Sequence, residues 1–251
     1  MVTVDLNADL GESFGHWSLG DDEALLDVIT SANVACGFHA GDPVTIERTV
    51  RAAVDRGVQV GAQVSYPDLV GFGRRRMDLS AEELAADVVY QVGAVHAFCH
   101  THGIAVAYVK PHGALYNRIV DDELQAAAVV DALEQLGGLP LMTLAGSVAA
   151  ELAAARGIRV VAEAFADRAY TDDGRLVARS EPGAVLHDAE VITARVVEMA
   201  TQATVTSASG RSLPISVESV CVHGDTPGAV TIATAVRRAL AAAGVEVSAW
   251  Q

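Results

Sequence analysis

Seven times along this chain a short apolar run ends in polar residues and gives way to a stretch with helical periodicity. The runs cover residues 2–10, 31–36, 58–64, 104–109, 139–145, 158–164 and 216–222. Strands that alternate with helices predict a parallel β/α architecture, because neighbouring parallel strands need a crossover long enough to hold a helix. Local signals agree. Asp42 and Pro43 suit the cap and first residue of a helix over 44–56, and Ser80-Ala81-Glu82-Glu83 reads as a capping box opening a helix to about Thr101. Further helices are expected over 21–29, 121–135, 147–155 and 187–203, with a closing helix to 243 and a long polar loop over 171–183.

The polar residues fall at the C-terminal ends of the strands, the end that carries the active site when such a sheet closes into a TIM-like (β/α) barrel. In the first strand Asp5, Asn7 and Asp9 alternate with Leu6, Ala8 and Leu10, which places three polar side chains on one face. If the barrel closes, Asn7, Asp9, Glu12, His39, Lys110, His112, Glu163, Asp167, Arg168, His223 and Asp225 converge on one mouth. The expected organisation is one (β/α) barrel domain over residues 1–251, with a doubly wound sheet as the alternative. No GxGxxG follows the first strand and no GxxxxGK[ST] occurs, so the commonest nucleotide-binding signatures are missing.

Lys110 stands out because the other sixteen basic residues are all arginine. It follows the apolar run 104–109 and precedes Pro111, so it is expected just past a strand end, where burial would lower its pKa towards the range useful for proton transfer. Arg74, Arg75 and Arg76 in a glycine-containing loop, and Arg168 after the sixth run, are placed to hold a carboxylate. Carboxylates, three imidazoles and one lysine suit water activation and protonation of a leaving amine; hydrolysis or amide chemistry fits this set better than redox chemistry. No GxSxG marks a serine nucleophile.

Composition narrows the partners. A net charge of −15 opposes phosphate backbones and anionic membrane surfaces, and no basic leader followed by an apolar segment opens the chain. A cytoplasmic protein that binds neither nucleic acid nor membrane is expected. Cys36, Cys99 and Cys221 form no CxxC pair, and buried thiols are a commoner reading than zinc ligands for Cys36-x-x-His39 and Cys221-x-His223. His96 and His100, four apart on a helix without a third ligand nearby, read as solvated.

Six segments, taken together, resemble the LamB/YcsF family. They are Asp5 through Glu12, Asn33 through Pro43, Ser65 through Asp68 with Gly71 through Arg75, Lys110 through Asn117, Phe165 through Tyr170 and Cys221 through Pro227, in the family's order. The resemblance implies a distorted seven-stranded barrel of the glycoside hydrolase/deacetylase type. It also implies the activity of the A subunit of the bacterial ATP-dependent 5-oxoprolinase, which opens 5-oxo-L-proline to L-glutamate with partner subunits B and C. ATP would then be the co-substrate, with Mg²⁺, and the absent P-loop fits partners that handle much of the nucleotide chemistry.

On this reading Asp9, Glu12, Lys110 and His112 form the expected catalytic set. Asn7, His39, Asp42, Tyr66, Arg74, Glu163, Asp167, Arg168, His223 and Asp225 form the expected substrate-binding set. A metal centre borrowed from deacetylase-like relatives would want Asp9, His39 and another imidazole. Where many relatives read Gly-Ala-His-Pro, this chain has Gly61-Ala62-Gln63-Val64, and glutamine is a poor ligand and no general base. Two alternatives remain in view: a stand-alone metal-dependent deacetylase of an acetamido sugar, and a non-catalytic chain that binds a carboxylate or scaffolds a complex.

Overall fold

The computed structural model describes residues 2–224 and 228–250. In chain order the elements are β1 (Thr3–Leu10), α1 (Asp22–Leu26), β2 (Ser31–Ala35), α2 (Pro43–Asp55), β3 (Gln59–Val64) and α3 (Ala81–Thr101). They continue with β4 (Tyr108–Pro111), α4 (Gly113–Arg118), α5 (Glu123–Gln135), β5 (Leu141–Leu144), α6 (Val148–Ala155) and β6 (Val160–Phe165). The last are α7 (Ala189–Gln202), β7 (Thr204–Thr206), β8 (Ser212–Pro214), β9 (Ser219–Val222), α8 (Ala229–Ala242) and β10 (Glu246–Val247).

Seven parallel strands close a barrel in the order β1-β2-β3-β4-β5-β6-β9, with β9 pairing back onto β1. β10 adds two residues beside the start of β1. The alternation in β1 has a direct physical outcome. Leu6, Ala8 and Leu10 face outward into the main apolar core beneath the helices, together with Val34, Val60 and Val220. Asp5, Asn7 and Asp9 face inward and meet polar partners from β2, β4 and β9. The barrel therefore has an apolar outer face and a largely polar inner one, the reverse of a barrel filled only with aliphatic layers.

Gly61 shows how closely the interior is fitted. A Cβ there would lie 2.3 Å from the Tyr108 ring, so only glycine lets Tyr108 cross the interior and donate its hydroxyl to Asn33 at 2.6 Å. Below it, Tyr108, Met142 and Val161 plug the N-terminal end with Trp250 packed against them.

Three differences from the sequence expectations have simple causes. Lys110 and Pro111 lie inside β4, which begins only at Tyr108; of residues 104–107 only Ala107 reaches the sheet, donating its amide to the Val60 carbonyl at 2.8 Å. Proline fits at the last strand position because it has no N–H to contribute to the ladder. The polar segment near residues 207–212 is the turn of an antiparallel hairpin, β7 with β8, whose strands are too short to show a period. α4 is a one-and-a-half-turn helix within the run after Lys110, short enough to pass for loop.

Candidate active site

The interior polar network climbs from the closed end to the mouth. Ser219 donates to Asp5, which also accepts from Thr30 at 2.6 Å and Ser31 at 2.7 Å. Asn7 donates to Ser219 at 2.7 Å and accepts from Asn33 at 2.7 Å. Asn33 donates in turn to Asp9 at 2.9 Å. Each of these buried side chains thus has a partner, which fixes rotamers beneath the mouth.

Lys110 crowns this network. Its Nζ lies 2.9 Å from Asp9 Oδ1, 2.8 Å from Glu163 Oε1, 3.3 Å from Asn7 Oδ1 and 3.1 Å from Cys221 Sγ. Only 2 % of it is exposed. Burial favours the neutral amine, but Asp9, Cys221 and Glu163 outweigh it and hold the ammonium well above its usual pKa. The expectation of a depressed lysine is therefore overturned. Burial without carboxylates would depress it; burial between two of them does the opposite. Burial likewise raises Asp9, yet Lys110, His112 and His223 together hold that carboxyl below the usual range. Glu163 is raised, chiefly by burial.

A second cluster sits beside the first. Glu12 Oε1 is 3.5 Å from His39 Nε2 and 3.8 Å from His112 Nε2, and the two imidazoles stack with centroids 4.1 Å apart. Phe72 meets both rings edge-on. Burial pushes His39 down to about 4, and burial with the neighbouring His39 pushes His112 well below its usual value. Both rings are neutral near pH 7. Gln63 Oε1 lies 3.2 Å from His39 Nε2. The loop over this pair depends on Gly73, at φ +65°, where a Cβ would fall 2.3 Å from Ser65 Oγ and 2.9 Å from His39 Cβ. A third group pairs His223 Nδ1 with Asp167 Oδ1 at 2.7 Å, and Phe165 stacks on the His223 ring. Burial raises the Asp167 carboxyl, but His223 outweighs it and lowers it overall.

Above these groups opens a cavity of about 590 Å³. Asp9, Lys110, His112 and His223 reach it from below, and six arginines line its walls: Arg74, Arg76, Arg118, Arg168, Arg175 and Arg179. More than a third of the sixteen arginines thus surround one opening, and three of them are paired there with carboxylates: Arg76 and Arg118 with Asp78, Arg118 also with Asp122, and Arg175 with Asp121 and Asp173. Phe165, Leu144 and Leu176 supply an apolar wall.

Residues 4–251 match the LamB/YcsF family model. The chain belongs to the LamB/YcsF family. It is 62 % identical to the 5-oxoprolinase A subunit of Mycolicibacterium paratuberculosis, with all of both chains covered. The crystal structure of a lactam utilization protein from Thermus thermophilus superposes with a TM-score of 0.94 at 46 % identity, over 99 % of this chain and 100 % of that one. A family 4 carbohydrate esterase from Streptomyces lividans shares the fold at a TM-score of 0.56 and 13 % identity, over 100 % of this chain and 93 % of that one.

Within this LamB/YcsF chain several expected substrate contacts have other work. Both oxygens of Asp42 are engaged at the start of α2, by the Val44 and Thr45 amides, the Thr45 hydroxyl and the Gly15 amide. Tyr66 is fully buried and donates to Gln125 at 2.7 Å, away from the cavity. Arg75 pairs with Asp68 instead of facing the opening. Asn7 and His39 are fully buried behind Lys110 and His112, where they position those side chains. Arg168 lines the cavity, yet its guanidinium donates to the carbonyls of Ala184 and Val177, pinning the loop after β6. Burial and Arg179 bring it down to about 10. Asp225 lies outside the described residues.

Asn33, Tyr108, Cys221, Arg175 and Arg179 join the site without having been expected there from sequence. Asn33 carries a usable signal: Ser31, Asn33 and Ala35 share one face of β2, as Asn7 and Asp9 do in β1. Arg175 and Arg179 lie in a polar loop whose charges look like any surface charges until the fold turns them inward.

Among the described residues, donor groups for a metal ion gather in two places, Glu12 with His39 and His112, and Asp9 with Cys221 and His223. The second set is already occupied by a cation, since the Lys110 ammonium lies on both Asp9 and Cys221. All three cysteines are buried thiols, and His96 and His100 are exposed on α3. Among the described residues no helix is long and apolar enough to cross a membrane.

Proposed function

We propose that this chain is the lactam-opening component of an ATP-dependent 5-oxoprolinase. As a single (β/α) barrel domain over residues 1–251, it acts in the cytoplasm with subunits B and C and converts 5-oxo-L-proline to L-glutamate. The observation that carries the reading is the cavity itself, where an arginine wall faces a buried set of acid, base and cation. Identity of 62 % over the full length to proteins named as 5-oxoprolinase A subunits supports it.

The chemistry required is attack of water on the lactam carbonyl, stabilisation of the oxyanion, and protonation of the departing amine. Arg74 and Arg179 take the ring carboxylate by charge-assisted hydrogen bonds. Asp9, held ionised, has Oδ1 tied to Asn33 and Lys110 and turns its other oxygen to orient the water. Lys110, held protonated, stabilises negative charge developing at the carbonyl and is no base at neutral pH. His112 is neutral with Glu12 beside it, so it accepts the proton from water and returns it to the amine. His223, steadied by Asp167, borders the same space. ATP, with Mg²⁺, is handled mainly on subunits B and C.

The test is glutamate release from purified chain, subunits B and C, 5-oxoproline, ATP and Mg²⁺. Glutamate that requires this chain supports the reading. No glutamate from a mixture that turns over when a relative's corresponding chain is substituted would refute it, and release of acetate from an acetamido sugar by this chain alone would select the deacetylase instead.

A further inference from the structure

The cluster of Glu12, His39 and His112 is more than a proton relay. Its three donor atoms are buried, come from the loops after β1, β2 and β4, and lie within 4.8 Å of one another. A tetrahedral ion with bonds of ~2.0–2.1 Å sets its ligands about 3.4 Å apart. The Glu12 oxygen lies 3.5 Å and 3.8 Å from the two imidazole nitrogens, close to that edge before any adjustment. We propose that Glu12, His39 and His112 form a site for one divalent transition-metal ion, with Gln63 Oε1 as a further oxygen neighbour.

Two independent features point the same way. The Gln63 side chain is fully buried and aims its oxygen at His39 Nε2, while its Nε2 has no hydrogen-bond partner among the described residues. The amide oxygen thereby borders the cluster at His39. The charge balance also favours a cation. Asp9, Glu12, Glu163 and Asp167 are four buried carboxylates around the mouth, against the buried cations Lys110 and Arg168. Imidazole and carboxylate together suit zinc, cobalt or nickel better than magnesium or calcium. Held by Glu12, His39 and His112, such an ion would supply Lewis-acid chemistry towards a carbonyl oxygen. The proton transfer assigned above to His112 belongs to the metal-free site, since an imidazole nitrogen bound to the ion could not take up a proton.

The test does not depend on the substrate. Chelator-treated full-length protein is titrated with Zn²⁺ by calorimetry and with Co²⁺ by visible absorption. One equivalent should bind, with a cobalt band of low-coordinate character and no thiolate charge-transfer band. Outer partners of metal ligands already alter affinity by roughly 10–100-fold, so Glu12→Gln, His39→Ala and His112→Ala should each weaken binding at least that much. Gln63→His, which adds a third imidazole, should tighten it and keeps the test decisive if an alanine variant misfolds. Absence of saturable binding would overturn the proposal. So would binding that survives Glu12→Gln and His39→Ala, or that is lost in Cys221→Ser.

Discussion

Lys110 donates to Asp9 at 2.9 Å inside the barrel, and the same ammonium lies 2.8 Å from Glu163. One cation thereby joins β1, β4 and β6 at the floor of the cavity. Removing it leaves two buried carboxylates uncompensated, a change that costs about 3–5 kcal/mol in comparable buried pairs. Lys110→Met should lower the denaturation midpoint by a corresponding amount and reduce turnover by about 10² or more. Lys110→Arg should not restore the rate, because a planar guanidinium cannot occupy the space among Asp9, Glu163, Asn7 and Cys221.

Acid should unfold the protein through its buried histidines. In the native state His39 titrates near 4, whereas an unfolded histidine titrates near 6.5. Between those values the unfolded chain binds the proton and the folded chain does not, so stability is full above about 6.5 and falls as the pH drops towards 4. That gap corresponds to about 3 kcal/mol for His39, and His112 shifts in the same direction. Urea denaturation of chelator-treated protein at pH 7 and pH 4.5 measures the loss, and His39→Phe should flatten the dependence.

The arginine wall should govern affinity more than rate. Arg74→Ala and Arg179→Ala are expected to raise KM for 5-oxoproline several-fold with a smaller effect on kcat, and added salt should narrow the gap from wild type. Loss of kcat with unchanged KM would place these arginines at the reacting atoms.

Asp42 and Tyr66 separate framework from site. Asp42→Ala removes a helix cap and should cost about 0.5–2 kcal/mol. Tyr66→Phe leaves the Gln125 oxygen unpaired inside the protein, at about 1–3 kcal/mol. Both should keep wild-type kcat and KM at a temperature where the variants remain folded.

The alternation of seven strands with helices is readable in the chain because each strand is a local apolar run and most helices carry their own cap. The polar face of β1 is readable for the same reason. What no local pattern carries is the partner: Asp9 meets Lys110 across 101 residues, and Asn7 meets Ser219 across 212. The sign of the Lys110 shift depends on those partners, which is why burial alone gives the wrong direction. Asp42 and Tyr66 stand in segments next to the mouth and so look like site residues in the sequence; only the paths of their side chains assign them to the framework.

Whether the Lys110 cluster at the cavity floor opens the lactam is decided by glutamate release from the three-subunit mixture. Wild-type chain is compared with Lys110→Met, each shown to be folded by circular dichroism at the assay temperature. Wild type should give ATP-dependent glutamate, and the variant should lose about 10² or more of that rate. Undiminished glutamate release by a folded Lys110→Met chain would contradict the role assigned to Lys110.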